Sequence, residues 1–304
     1  MNIKAFSIAL FTVLIWGSSF AAIRVGLQGG YSAGHLILIR YLIASVLFAV
    51  YALWPGVKFR LPRKEDLLRI AVLGWIGITI YHLGVTFGER TVSAGTAGML
   101  IGSGPIFTSL IAMFVLKERL GKWGWGGLII GFAGIFIITI GSSGGTSLNI
   151  PKESLYILTA ALATSIMFVY QKSLYTRYTS MELTAYFTWA GTLPFLFFFP
   201  GLLHDLHHAS MEASLSALYI GIFPTAIGYA TWAIALAAGK ASSVSSTLYL
   251  EPIVAIVVAW FWIHEWPSTL SIIGGIIAIS GVILVNIKGK ERVPLTEKAP
   301  SSIV

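Results

Sequence analysis

Residues 94–118, AGTAGMLIGSGPIFTSLIAMFVLKE, and residues 241–265, ASSVSSTLYLEPIVAIVVAWFWIHE, are two versions of one segment. A displacement of 147 positions lays Pro105 on Pro252 and Glu118 on Glu265. Without a gap, the same displacement lays Gly127 on Gly274, Gly134 on Gly281, Gly74 on Gly221, Leu36 on Leu183 and Ser18 on Ser165. One apolar unit is therefore used twice. If each copy crosses a membrane an odd number of times, the second enters from the opposite side, and two opposed copies are how many carriers build a central pathway.

Composition fixes the solvent. With 56% hydrophobic and 11% charged residues and a mean hydropathy of +0.84, the chain has too little polar surface to cover a water-soluble globule. Cysteine is absent, which removes disulfides, thiolate metal sites and cysteine nucleophiles from consideration. The net charge of +8 does not point to nucleic acid, because the basic residues lie in short gaps between apolar runs and not on one soluble face. The first run, Ala5 to Gly26, is long and is followed by no hydrophilic domain, so it reads as a first span and not as a secretory signal.

Apolar runs long enough to cross the hydrocarbon recur at 5–26, 34–54, 66–87, 94–116, 123–140, 155–174, 182–202, 214–238, 241–263 and 268–287. The expected fold is an all-α polytopic membrane protein of ten transmembrane helices in two inverted five-helix repeats, over 1–140 and 155–290. Residues 141–154, containing GSSGGTS, read as a flexible linker, and 291–304 as a disordered cytoplasmic tail. Lysine and arginine support the count. With both termini inside, the cytoplasmic segments take nearly all of them, including Lys58, Arg60, Arg63, Lys64, Arg69, Lys117, Arg119, Lys122, Lys172 and Arg177. The outside receives only Arg24, Arg90 and Lys152.

Proline inside a helix removes one hydrogen bond and frees the carbonyl four residues earlier, that of Ile101 for Pro105 and of Leu248 for Pro252. Lipid cannot satisfy freed carbonyls, so the paired breaks, loosened by Gly102 and Gly104, read as gates or as static kinks that improve packing. Pro224 aligns with Gly77 as a second weak pair. Glu251 is the acidic residue expected well inside a span, near the middle of the ninth helix. It could couple a proton, capture a substrate ammonium, pair with Arg40 or cap broken backbone. Arg24 lies near the outer interface, where it can snorkel.

Tyr81 and His82 are expected near the depth of Arg40, where intramembrane polar groups face the bundle interior. Trp16, Trp75, Trp189 and Trp232 lie deep enough that their indole nitrogens need partners, whereas Trp54, Trp123, Trp125, Trp262 and Trp266 sit where indoles anchor at the interface. Met99 and Ser103, one turn apart, offer a soft contact and a hydroxyl, and Tyr249 precedes Glu251. The candidate substrate site is thus Tyr81, His82, Trp16, Met99, Ser103, Trp189 and Tyr249. His204, Asp205, His207 and His208 resemble metal ligands but read as a solvated outer turn, and no metal is expected. Gly127 with Gly131, and Gly274 with Ala278, have the small-residue spacing for close packing of the fifth and tenth helices or for a homodimer contact.

Taken together, Trp16-Gly17-Ser18-Ser19-Phe20, Arg40, Ser93-Ala94-Gly95-Thr96-Ala97 with Pro105, Glu118 before Gly127, Gly131 and Gly134, and then Glu251-Pro252, Glu265, Gly274 and Gly281 resemble the drug/metabolite transporter superfamily in its ten-helix EamA-type form. The resemblance covers about residues 5 to 288 and is nearest to the bacterial branch that exports aromatic amino acids. It implies an inner-membrane exporter of small metabolites, with helices one to four and six to nine around a central cavity. Ala163-Thr164-Ser165 stands where the first copy has Trp16-Gly17-Ser18, so the halves are chemically unequal.

The expected function is secondary export of amino acids, aromatic ones foremost, by alternating access between the inverted repeats. The partners are the substrate and the lipid bilayer. No cofactor and no ATP hydrolysis are expected, since there is no Walker-type run. Phosphosugar, nucleotide-sugar or drug cargo is the nearest rival, and phosphorylated cargo would need more basic groups than Arg40. An intramembrane hydrolase using Ser103 and His82 would leave the repeat unexplained, and a channel would want rings of charge.

Overall fold

The computed structural model describes residues 3–115, 117, 120–142, 150–238, 244 and 246–288. Glu118, the linker core 143–149 and the tail 291–304 lie outside the described residues. The described residues form helices and no strand: α1 Ile3–Gln28, α2 Ala33–Ala52, α3 Lys64–Gly88, α4 Ala94–Val115, α5 Lys122–Gly141, α6 Lys152–Thr176, α7 Ser180–Phe198, α8 Met211–Leu236, α9 Thr247–Ile263 and α10 Thr269–Ile287. Eight of these are long and apolar enough to cross a membrane. The segment α7 reaches that length together with Leu202–His208, to which it is bent by 84°, and α9 is a shorter apolar helix. The chain is a multi-pass membrane protein, and helix is its form because a backbone in lipid must bond to itself.

Caps set the helix starts. Ser32 accepts from His35 N at 3.2 Å at the head of α2, and Ser93 accepts from Thr96 N at 3.3 Å at the head of α4. Thr179 and Glu182 close a capping box on α7.

The helix pairing repeats under the same displacement that relates the sequences. Where α1 packs on α8 and α9, its counterpart α6 packs on α3 and α4; where α2 packs on the middle of α8, α7 packs on the middle of α3. The counterparts α5 and α10 lie against one another, as do α4 and α9. Both pairs are antiparallel: Gly127 meets Gly281 while Gly134 meets Gly274, and Gly95 meets Ile256 while Gly102 meets Pro252. One copy is therefore upside down relative to the other.

The glycine stripes of α5 and α10 serve this seam. A Cβ at Gly127 would lie 2.8 Å from the Gly281 carbonyl oxygen, and one at Gly274 would lie 2.9 Å from that of Gly134. The stripes pack α5 against α10 inside the chain, the first of the two uses their spacing suggested.

One expectation about a loop changes. Residues 202–208 are not a solvated turn but a short helix, Leu202–His208. Its Asp205 accepts from Ser32 N at 2.9 Å and pairs with His35 Nδ1, while His204 stacks on His208. At the face expected to be inner, Arg60 donates from Nε and its second guanidinium nitrogen to Glu182 at 3.0 and 2.9 Å, and Arg177 bonds Asp66 at 2.9 Å. Hydrogen bonding to these acids raises both arginines above the ordinary guanidinium value. The first copy is thereby tied to the second through its loop.

Candidate functional site

Two irregular stretches build the centre. In α3 the backbone runs as a π-helix over Trp75–Ile80, just before Tyr81 and His82; in α8 it does so over Gly221–Ile227, around Pro224. The register pairs them, one in each copy. A π segment turns backbone groups away from α-helical partners, and side chains of neighbouring helices meet them here. Trp16 Nε1 donates to the Pro224 carbonyl at 2.9 Å, and Thr225 Oγ1 donates to the Ile220 carbonyl at 2.8 Å. Arg40 Nε in turn donates to Thr225 Oγ1 at 2.6 Å. In α3, Thr79 donates to the Gly191 carbonyl at 2.9 Å and Trp75 to that of Ala190 at 3.0 Å.

Around these staples lies an aromatic lining. The His82 ring sits between Tyr41, at 4.8 Å, and Tyr81, at 4.6 Å between centroids. Both His82 nitrogens are buried without a hydrogen-bond partner, and the buried Tyr41 hydroxyl lies beside that of Tyr229. Across from them, Trp16 packs on Tyr229 at 5.7 Å and on Trp232 at 5.2 Å. Tyr81 and Tyr229 are electrostatic neighbours of both Arg40 and Glu251. Arg40 is only 5% exposed and has no carboxylate partner among the described residues. The Glu251 side chain likewise has no ion pair or hydrogen bond among them, so of the alternatives offered for it the pair with Arg40 is not made. Glu251 is also not in mid-helix. It opens the α-helical segment Glu251–Ile263, where the helix dipole favours a carboxylate.

The structure separates the remaining candidates. Trp16, Tyr81, His82, Arg40 and Glu251 come together. Trp189 donates to the Ser45 carbonyl at 3.1 Å and packs on Phe59 and Tyr186, in a second cluster. Met99 is buried with its sulfur against Gly275 of α10, and Tyr249 lies beside Asn286 of the same helix. The Ser103 hydroxyl donates to the Leu100 carbonyl and does not meet His82, so no serine–histidine dyad exists.

Helix 4 does break, though not as a kink in a continuous rod. Ser103 ends one α-helix, Ala94–Gly102, and Gly104–Val115 begins another with Pro105 second, where the missing N–H costs nothing. Pro252 is likewise second in Glu251–Ile263, after a 3₁₀ turn. The Ser103 N–H turns back to the Leu100 and Ile101 carbonyls, so Ile101 is not left unbonded. Among the described residues, no three His, Asp or Glu side chains gather as metal ligands.

Sequence reading missed Tyr41, Thr225 and Tyr229, although Tyr41 adjoins Arg40 and Thr225 and Tyr229 lie one turn apart beyond Pro224. It also missed Glu89, which is 0% exposed. Arg24 does not snorkel: its Nε donates to Glu265 at 2.9 Å and its guanidinium also bonds the Glu89 carbonyl.

Comparison with known proteins finds the model of the EamA-like transporter family matching twice, over residues 3–140 and 151–287. The chain is 38% identical to a probable terminal-alkyne amino-acid exporter of Streptantibioticus cattleyicolor, covering 93% of each chain. It is 36% identical to the uncharacterized transporter YdfC of Bacillus subtilis, over 90% of this chain and 88% of that one. A probable amino-acid metabolite efflux pump of Escherichia coli is 23% identical, over 93% and 95%. A solved structure described only as a protein crystal structure shares the fold, with a TM-score of 0.62 at 21% identity, over 93% of this chain and 96% of that one.

Proposed function

The chain belongs to the EamA-like transporter family, and from that premise we propose that it exports amino acids, aromatic ones foremost, across the plasma membrane of a bacterium. The observation that carries this reading is the pair of opposite charges, Arg40 and Glu251, left unpaired beside the same two tyrosines. An α-amino acid supplies both missing partners. Its carboxylate goes to Arg40, its ammonium to Glu251, and an aromatic side chain to the lining made by Trp16, Tyr229 and His82. The names of two relatives, a probable terminal-alkyne amino-acid exporter and a probable amino-acid metabolite efflux pump, support the same class.

In this reading both termini lie in the cytoplasm and each copy crosses five times. Alternating access then works through the two helix junctions, Gly102 to Pro105 in α4 and Leu250 to Pro252 in α9, which can pivot without breaking an α-helical ladder. No ATP or cofactor enters this scheme. A homodimer would have to use a surface other than the α5–α10 seam.

Counterflow in proteoliposomes with radiolabelled tryptophan, threonine and a phosphosugar tests the proposal. Tryptophan exchange exceeding that of threonine is expected. Exchange of the phosphosugar alone overturns the amino-acid reading, and tags on the two ends found in different compartments overturn the topology.

A further inference from the structure

The charged groups at the end of the bundle expected to be outer do not balance. Arg24 on α1 is 16% exposed and its Nε donates to Glu265 at 2.9 Å. The other Glu265 oxygen accepts from the backbone N–H of Ala94, the first residue of α4, at 2.9 Å. One arginine thus ties α1, the head of α4 and the residue just beyond α9 into a single latch. The Arg24 guanidinium also bonds the Glu89 carbonyl at the end of α3. Yet the Glu89 side chain, 0% exposed, has neither carboxylate oxygen hydrogen-bonded.

Among the described residues, the charged and titratable groups that act on Glu89 come from four helices. Arg24 comes from α1, Arg40 from α2 and Glu265 from the end of α9, and Tyr81 lies on its own helix. Glu153 of α6 approaches through its backbone carbonyl, which packs on Gly88. Two carboxylates therefore compete for Arg24, and Glu265 holds it. A buried carboxyl without donors is stable as the neutral acid and costly as the anion. As an anion, Glu89 would draw on the nearest guanidinium, which is the one closing the latch. A cavity of about 490 Å³ lined by Arg24, Arg90, Tyr31 and Phe87 opens on the Arg24 side of the buried carboxyl.

We propose that Glu89 is a proton-binding site that operates the outer gate. With the proton on, Arg24 stays on Glu265 and the mouth is shut. With the proton off, Arg24 swings to Glu89, frees Glu265 and the head of α4, and lets α1 part from the end of α9. The step moves one proton between the Glu89 carboxyl and external water and breaks no covalent bond. Closing the outer mouth thus takes up one external proton, and opening it returns one. The inference does not rest on the identity of the cargo.

The chain has no cysteine, so spin labels at Gln28→Cys and Trp266→Cys report the outer mouth alone. Distances between them are measured in lipid nanodiscs from acidic to alkaline pH with no substrate present. The wild-type background is expected to shift to longer separations as pH rises, Glu89→Gln to stay at the short separation at every pH, and Glu265→Gln to stay at the long one. Glu251→Gln is expected to keep the wild-type titration. A wild-type background whose separation does not change with pH overturns the proposal, even should Glu89→Gln fail to fold. So does a Glu89→Gln protein that titrates like the wild type, or loss of the titration in Glu251→Gln. Failure of amino-acid counterflow with an intact titration would instead count against the cargo alone.

Discussion

Gly102 and Pro252 face one another so closely that a Cβ at Gly102 would overlap the proline ring. The helix junctions of the two copies are therefore in contact with each other, and a movement at one is felt at the other. Overpacking a tight site costs about 1–3 kcal/mol. Gly102→Val is expected to insert normally yet lose most transport, measured as initial counterflow rate against surface-labelled protein.

Gly134 lies against the backbone of Ala278 and Gly274 in the seam between α5 and α10. Gly134→Leu forces two backbones apart and is expected to lower thermal stability in detergent. Gly126, on the same helix with nothing near its missing Cβ, is expected to accept leucine with no such loss.

Glu182 accepts from the Arg60 backbone N–H and guanidinium and from Thr179 N, and its side chain is only 3% exposed. Glu182→Ala strands the Arg60 and Thr179 backbone N–H groups at a cost of about 1–3 kcal/mol, while the exposed Arg60 guanidinium turns to water. A lowered melting temperature, together with protease sensitivity in the 55–63 loop, is the expected result.

Arg40→Gln and Glu251→Gln separate the two ends of the proposed ligand. Each removes one charge-assisted contact, worth about 1.5–3 kcal/mol, or roughly tenfold or more in affinity. Arg40→Gln is expected to blunt discrimination against an amino-acid amide, and Glu251→Gln discrimination against an N-acetyl derivative. Competition assays with both analogues read the difference.

Tyr81→Ala or His82→Ala removes one wall of the aromatic lining. Preference for tryptophan over threonine should fall while threonine flux persists. An equal loss for both substrates would place these rings in packing alone.

The repeat, the helices and their antiparallel assembly were legible because each rests on a periodic signal: apolar length, glycine spacing and one constant displacement. Single side chains were harder. Glu89 reads as a loop charge because it follows the apolar run and precedes Arg90 in GERT; only the tertiary fold covers it. Met99 and Ser103 share a face with the gate region in sequence, yet the break at Ser103 turns one toward α10 and spends the other on the Leu100 carbonyl. Asp205 looked solvated because its partners, Ser32 and His35, are remote in the chain. The π stretches leave no periodic trace at all, since Pro224 and Gly77 mark the place without stating the geometry.

Those two π stretches hold slack. Drawing one in to ordinary α register would displace the helix beyond it by a single residue, about 100° of rotation, with little change in its axis. Tyr81 and His82 follow directly after Ile80, and Tyr229 follows soon after Ile227, so such a twist would wheel the rings of the lining from one neighbour to another. A carrier built this way could repaint the inside of its own passage by winding a spring, without having to swing a wall.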